Sequence, residues 1–206
     1  MSVIKKNAPG SNELLMGNEA IARGALEAGI QFAAAYPGNP SSEIIGTLSQ
    51  VAAEMGIYVE WSVNEKVAYE EALGASFAGK RALVSFKHVG LNVAADPFMN
   101  SAMTGANGGL VVVSADDPGM HSSQNEQDSR FYADFARVLC LEPASQQEAY
   151  DMTVEAFDLS ERFAVPVMIR LVTRLAHSRT AIQVADQPRP QNQPQSQAQR
   201  QPQGAN

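Results

Sequence analysis

Apolar residues along this chain recur at two alternating spacings, one helical and one extended, and that alternation predicts its elements. In GNEAIARGALEAG, Ala20, Ile21, Ala25 and Leu26 fall at helical intervals and the segment stops at Gly29. IQFAAAYP then gives a short apolar run closed by Pro37, as a strand would. PSSEIIGTLSQVAAEMG opens with Pro40 and Ser41, suited to a helix start, and ends at Gly56 before the β-branched and aromatic IYVEWSV. The pattern continues with a helix in NEKVAYEEALGASFAGK, a strand in RALVSFK, a small-residue segment over 90–105 and a strand in GGLVVVSADD. The unbroken run at 110–113 suits a strand buried on both faces. SSQNEQDSRFYADFARV is expected to be helical after Ser122, SQQEAYDMTVEAFDLSERF to be an amphipathic helix capped by Ser145, and VPVMIRLV to be a last strand. About six strands joined through about six helices imply right-handed crossovers. The predicted fold is therefore α/β: a three-layer sandwich with a mainly parallel sheet of roughly six strands, covered by helices on both faces.

Composition then sets the domain limits. A chain of 206 residues with 45% hydrophobic content is enough for one core. After His177 the text turns to DQPRPQNQPQSQAQRQPQGAN, polar and rich in Gln and Pro, with almost nothing to bury. Residues 1–178 are expected to form the domain and 179–206 a disordered tail. A net charge of -7 with only 15 Lys and Arg argues against nucleic acid or an anionic membrane as the main partner. No apolar run approaches the roughly 20 residues of a membrane span. MSVIKKNAPG lacks the apolar core of a signal peptide, so the expected location is the cytoplasm. The single cysteine, Cys140, excludes an internal disulfide, a zinc knuckle or an iron–sulfur cluster held by this chain alone.

In a parallel sheet, ligands bind beyond the carboxyl ends of the strands, so candidate chemistry is sought in the loops that follow them. YPGNPSS, SVNEK, FKHVGLN and ADDPGMHSSQNEQDSR each mix Gly or Pro with polar groups and should gather on one rim. From composition alone, Glu65 is a first-turn acid of a helix capped by Asn64, and Lys87 and His88 are solvated residues at a strand end. No phosphate-loop pattern occurs, and the three histidines have no spacing of a known metal site, so no metal ligand is assigned to this chain.

YPGNPSSEI, VEWSVNEKVAYEEALGASFAGKRALVSFKHVGLNVAADPFM and VVVSADDPGMHSSQNEQDSRFYADFA together closely resemble the pyrimidine-binding domain of the indolepyruvate ferredoxin oxidoreductases. These belong to the thiamine-diphosphate-dependent 2-oxoacid:ferredoxin oxidoreductases, and the resemblance runs in order from about residue 11 to 177. It implies that Glu65, followed nine residues later by Gly74, meets N1′ of the cofactor's aminopyrimidine and shares its proton there. That role asks for a carboxyl able to hold a proton near neutrality, hence for burial beneath the cofactor. It further implies Tyr36, Pro37, Gly38, Gly90, Leu91 and Asn92 along the cofactor, and Asn39, Ser41, Lys87 and His88 near the substrate. Asn39 stands where the family's Y-P-x-T-P loop has its threonine, and Glu70 and Glu71 fall to the helix surface or a subunit contact.

The chain has no GDG motif, so the resemblance implies only the pyrimidine half of a cofactor site. Magnesium, diphosphate and iron–sulfur clusters would come from partner subunits, ferredoxin would be the acceptor and a homo- or hetero-oligomer the working form. The chain would be either a subunit of such a split enzyme or a truncated or degenerate copy of a longer one, and two further alternatives stand beside this: one half of a split non-redox decarboxylase of sulfopyruvate or phosphonopyruvate type, and a non-catalytic assembly module.

Overall fold

A computed structural model of the chain describes Ile4 and residues 9–184. The first half comprises β1 (Asn12–Met16), α1 (Gly17–Glu27), β2 (Phe32–Ala35), α2 (Ser42–Ser49), α3 (Ala52–Met55), β3 (Tyr58–Trp61) and α4 (Glu65–Phe77). It continues with β4 (Ala82–Lys87), α5 (His88–Val93), α6 (Ala95–Thr104), β5 (Leu110–Asp116) and α7 (Arg130–Ala136). The last elements are β6 (Leu139–Leu141), α8 (Gln146–Phe163), β7 (Val167–Val172), α9 (Thr173–His177) and β8 (Arg179–Gln183). Six strands form one wholly parallel sheet in the order β3-β2-β4-β5-β7-β6. β1 and β8 pair antiparallel as a separate ribbon.

The expected three layers follow from strand alternation, which sends successive side chains to opposite faces. From β5, Val111, Val113 and Ala115 enter one core with Leu83, Ile169, and Ile21, Leu48 and Phe157 of the helices α1, α2 and α8. Leu110 and Val112 enter the other, with Phe86, Met168, and Tyr69, Leu91 and Phe98 of α4, α5 and α6. Every residue of β5 is buried, as its unbroken apolar run predicts. On the first face α1 lies close against α8, because a side chain on Gly24 would come within 2.7 Å of the Tyr150 carbonyl oxygen.

Several expectations change. Residues 90–105 fold into α5 and α6, and β1, β6 and β8 were not foreseen. The helix expected after Ser122 begins only at Arg130, because Ser122 and Ser129 give their backbone N–H groups to aspartates at the end of β5. The boundary at 179 is corrected: residues 179–183 are strand β8, paired with β1, and Ile182 and Val184 are buried. Alternating apolar residues in so short a segment are masked by the polar text that follows. The rest of the expected disordered tail, 185–206, lies outside the described residues.

Candidate functional site

β2 and β4 are neighbours whose chain continuations part. From β2 the chain runs through α2 on one face to β3, whereas from β4 it runs through α5 and α6 on the other face to β5. Such a switch point opens a crevice beyond the carboxyl ends of the strands. In register, Ala35 of β2 lies beside Trp61 of β3 and Ser85 of β4, so the loops after all three strands share one rim.

The first loop is a rigid turn. Gly38 N donates to Ser42 Oγ at 2.8 Å, and the Ser41 N–H and hydroxyl both donate to Gly38 O, at 3.0 and 2.9 Å. The Asn39–Pro40 peptide is cis, and Asn18, buried at the start of α1, donates to Pro40 O at 2.8 Å. Tyr36, Pro37 and Asn39 are exposed on this turn. Ser41 is buried with its hydroxyl committed to Gly38, so it shapes the turn. Gly38 faces β4: a Cβ there would stand 3.0 Å from Lys87 Cδ.

Asn64 caps α4 by accepting from Val67 N at 2.9 Å, and Glu65, the first helical residue, is thereby turned to the rim. A Cβ on Gly90 would lie 2.8 Å from both Cγ and Oε1 of Glu65 and 2.8 Å from Phe86 Cβ. The glycine is therefore demanded by the carboxyl leaning on it. Glu65 is half-buried rather than buried in this chain alone. Its neighbours on α4 have other work: Glu71 accepts from Ser62 Oγ at 2.5 Å and ties the loop to the helix, while Glu70 lies 3.9 Å from Lys66 Nζ on the exposed side. Gly74 is exposed, with open space where a Cβ would stand.

At the end of β4, Lys87 is half-buried with Nζ 3.5 Å from Ser122 O, and His88 is buried with Nε2 3.1 Å from Asn125 O. A carbonyl can only accept, so Nε2 carries the hydrogen. His88 Nδ1 is buried without a partner. The two residues that follow Gly90 make contacts within the chain. Leu91 is wholly buried in the core beside Phe86 and Tyr69, and exposed Asn92 accepts from Tyr132 OH at 2.7 Å, which ties α5 to α7. The helical turn of α5 explains both, since it points Gly90 at Glu65 and carries the next two residues away.

The structure brings together Gly38, Glu65, Lys87, His88 and Gly90. Sequence reasoning missed three supports beneath them, Asn18, Arg170 and Thr173, and gave no role to Asp116 and Asp117 although it singled out the loop they open. The available signals were a buried-period asparagine in α1 and a lone arginine inside the apolar VPVMIRLV. Cys140 on β6 is half-buried, and burial pushes its thiol up to about 11. Among the described residues no three His, Cys, Asp or Glu side chains gather as a metal site.

Fold and rim together define a doubly wound α/β domain with a carboxyl poised at its switch point. The chain belongs to the family described as pyruvate flavodoxin/ferredoxin oxidoreductase, thiamine diphosphate-binding, whose model matches residues 23–205. The indolepyruvate oxidoreductase subunit IorA of Archaeoglobus fulgidus is 53% identical over 189 residues, covering 90% of this chain and 30% of that protein. The subunit of the same name from Pyrococcus abyssi is 54% identical over 187 residues, covering 91% and 29%. The 2-oxoglutarate synthase subunit KorA of Methanothermobacter thermautotrophicus is 32% identical over 183 residues, covering 84% and 48%. The chain thus spans about 30% of the length of the IorA subunits it matches. In fold it is similar to a solved 2-oxoglutarate:ferredoxin oxidoreductase from Magnetococcus marinus, with TM-score 0.75 at 23% identity over 86% of this chain and 32% of that one.

Proposed function

We propose that this chain supplies the pyrimidine-binding half of a thiamine-diphosphate site in a 2-oxoacid:ferredoxin oxidoreductase of the indolepyruvate type. The observation that carries the reading is the Glu65 carboxyl held at the switch-point rim against Gly90. A half-exposed carboxyl beside a residue with no side chain fits a flat heterocycle that offers a ring nitrogen. Thiamine diphosphate, when bound, supplies a nucleophilic carbon for the keto group of a 2-oxo acid and an electron sink after loss of carbon dioxide. Glu65 shares a proton with N1′ of the aminopyrimidine. Tyr36, Pro37 and Gly38, in the loop after β2 on the same rim, would line the cofactor. The Lys87 ammonium and the exposed Asn39 amide offer donors to the substrate carboxylate.

In this reading the diphosphate and magnesium are held by a partner domain with a GDG motif, and the electrons leave through iron–sulfur clusters on partner subunits to ferredoxin in the cytoplasm. The subunit naming of the IorA and KorA relatives supports a multi-subunit enzyme. The test is the complex purified through this chain, assayed for 2-oxoacid-dependent viologen reduction with thiamine diphosphate and magnesium. Glu65→Gln is expected to lower kcat by about 100-fold or more, the usual worth of a positioned proton-transfer group. Unchanged turnover would reduce Glu65 to a helix-start acid. An aldehyde product without viologen reduction would favour the non-redox decarboxylase, and no GDG-bearing partner the non-catalytic module.

A further inference from the structure

β5 ends on Asp116 and is followed at once by Asp117, and both carboxylates are wholly buried. Successive positions of a strand face opposite sides, and the two acids take different partners. Asp116 accepts from Arg170 Nε at 2.7 Å, from Ser129 N at 3.1 Å and from the Ser129 hydroxyl. Arg170 is held in turn by Glu142. Asp117 accepts from Thr173 Oγ1 at 2.6 Å and from Ser122 N at 2.8 Å. The loop between β5 and α7 is therefore gripped near both ends, and across its middle Gly119 N donates to Glu126 Oε2 at 3.0 Å.

Burying a carboxylate is unfavourable unless its oxygens are fully bonded, so this arrangement is a costly way to stabilise a loop and a good way to give it one position. What the loop presents from that position is backbone carbonyls. The Asn125 carbonyl receives His88 Nε2 and decides which ring nitrogen carries the hydrogen, while the Ser122 carbonyl lies 3.5 Å from Lys87 Nζ. Lys87 in turn packs on Gly38 of the opposite loop. The chain of contacts runs from the two aspartates to the two polar side chains of the candidate site.

We infer that Asp116 and Asp117, with Arg170 and Thr173, are positioning residues that set the β5–α7 loop, which holds the buried His88 ring from behind and sets the Lys87 ammonium for an anionic 2-oxo acid. This rests on the function proposed above. Thr173→Val removes the hydroxyl that Asp117 accepts and keeps the side-chain shape, whereas Thr173→Ser keeps the hydroxyl. Asp116→Asn loosens the other end of the loop and gives a second variant should one fail to fold. In the complex purified with its partner subunits, hydrogen exchange of the 118–128 backbone and steady-state kinetics with a 2-oxo acid are read together.

Thr173→Val is expected to speed exchange across 118–128 and raise KM about tenfold with kcat within about threefold, as loss of ground-state positioning would, and Thr173→Ser to restore both. Asp116→Asn should give the same split. Faster exchange with unchanged KM would make the clamp merely structural and overturn the inference, as would unchanged exchange. A wild-type complex that turns over no 2-oxo acid overturns the functional reading and this inference with it. A kinetically unchanged Thr173→Val in an active complex overturns this inference alone.

Discussion

Two glycines separate what this chain needs for itself from what a site would need. A Cβ on Gly90 would lie 2.8 Å from Glu65 and from Phe86, and although the half-buried Glu65 side chain can swing away, the wholly buried Phe86 cannot. Gly90→Ala is expected to destabilise the chain by about 1–3 kcal/mol, the usual range for overpacking, and to displace the Glu65 carboxyl. Gly74 lies inside α4 with open space around it. There the added methyl removes backbone entropy from the unfolded chain, so Gly74→Ala should stabilise the isolated chain by about 0.5–1 kcal/mol. Denaturant midpoints of the two variants check both signs. A gain in the isolated Gly74→Ala chain together with lost activity in the complex would assign that glycine to a neighbouring subunit. Sequence reasoning found both glycines but could not rank them, because the clash at Gly90 comes from residues far away in the chain.

At the scale of elements, the β5–α7 loop is held by carboxylates. Burial pushes the Asp117 carboxyl upward, but hydrogen bonds from Thr173 and the Ser122 backbone outweigh it and hold the group well below the ordinary carboxylate range. The Arg130 side chain lowers Asp128 to about 2. Both are depressed in the folded state, so their stabilisation is present above the unfolded value of about 4 and is lost as pH falls towards the folded values. The loop is expected to open to pepsin as the pH falls from about 4 to about 2. Cleavage should appear beside exposed Phe131 before the buried strand β5 becomes accessible. Cleavage that begins in the sheet, or a loop intact throughout that window, would show that the carboxylates do not hold it. This loop read as a helix from Ser122 because its polar residues suit a helix start. Its bonds to β5 and α9 compete with the helical ladder, and no local propensity records them.

For the whole molecule, the ribbon β1–β8 carries the folded unit past the compositional boundary at 179. Ile182 is wholly buried and Val184 is 1% exposed, while β1 has β8 as its partner. A chain cut after Ser178 would lose two buried aliphatic side chains, at about 1.5–3 kcal/mol each, or about 3–6 kcal/mol together. Thermal unfolding of that truncation should show a marked drop in Tm relative to the full chain. An unchanged Tm would mean that the compositional boundary was the true one. No described helix is long and apolar enough to cross a membrane.

The parallel α/β class, the two-faced burial of β5, the capped starts of α4 and α8 and the gathering of loops on one rim were all determined by the sequence itself. Period, caps and turn residues act over a few positions and leave their mark locally. Only the tertiary structure decided that Gly90 serves Glu65, that Leu91 is core, that Ser41 is spent on its own turn and that Asp116 and Asp117 grip the loop over Lys87 and His88. Each of these depends on which distant residues the crossovers bring within 3 Å or so, and that distance is set by how helices pack on the sheet rather than by any pattern along the chain.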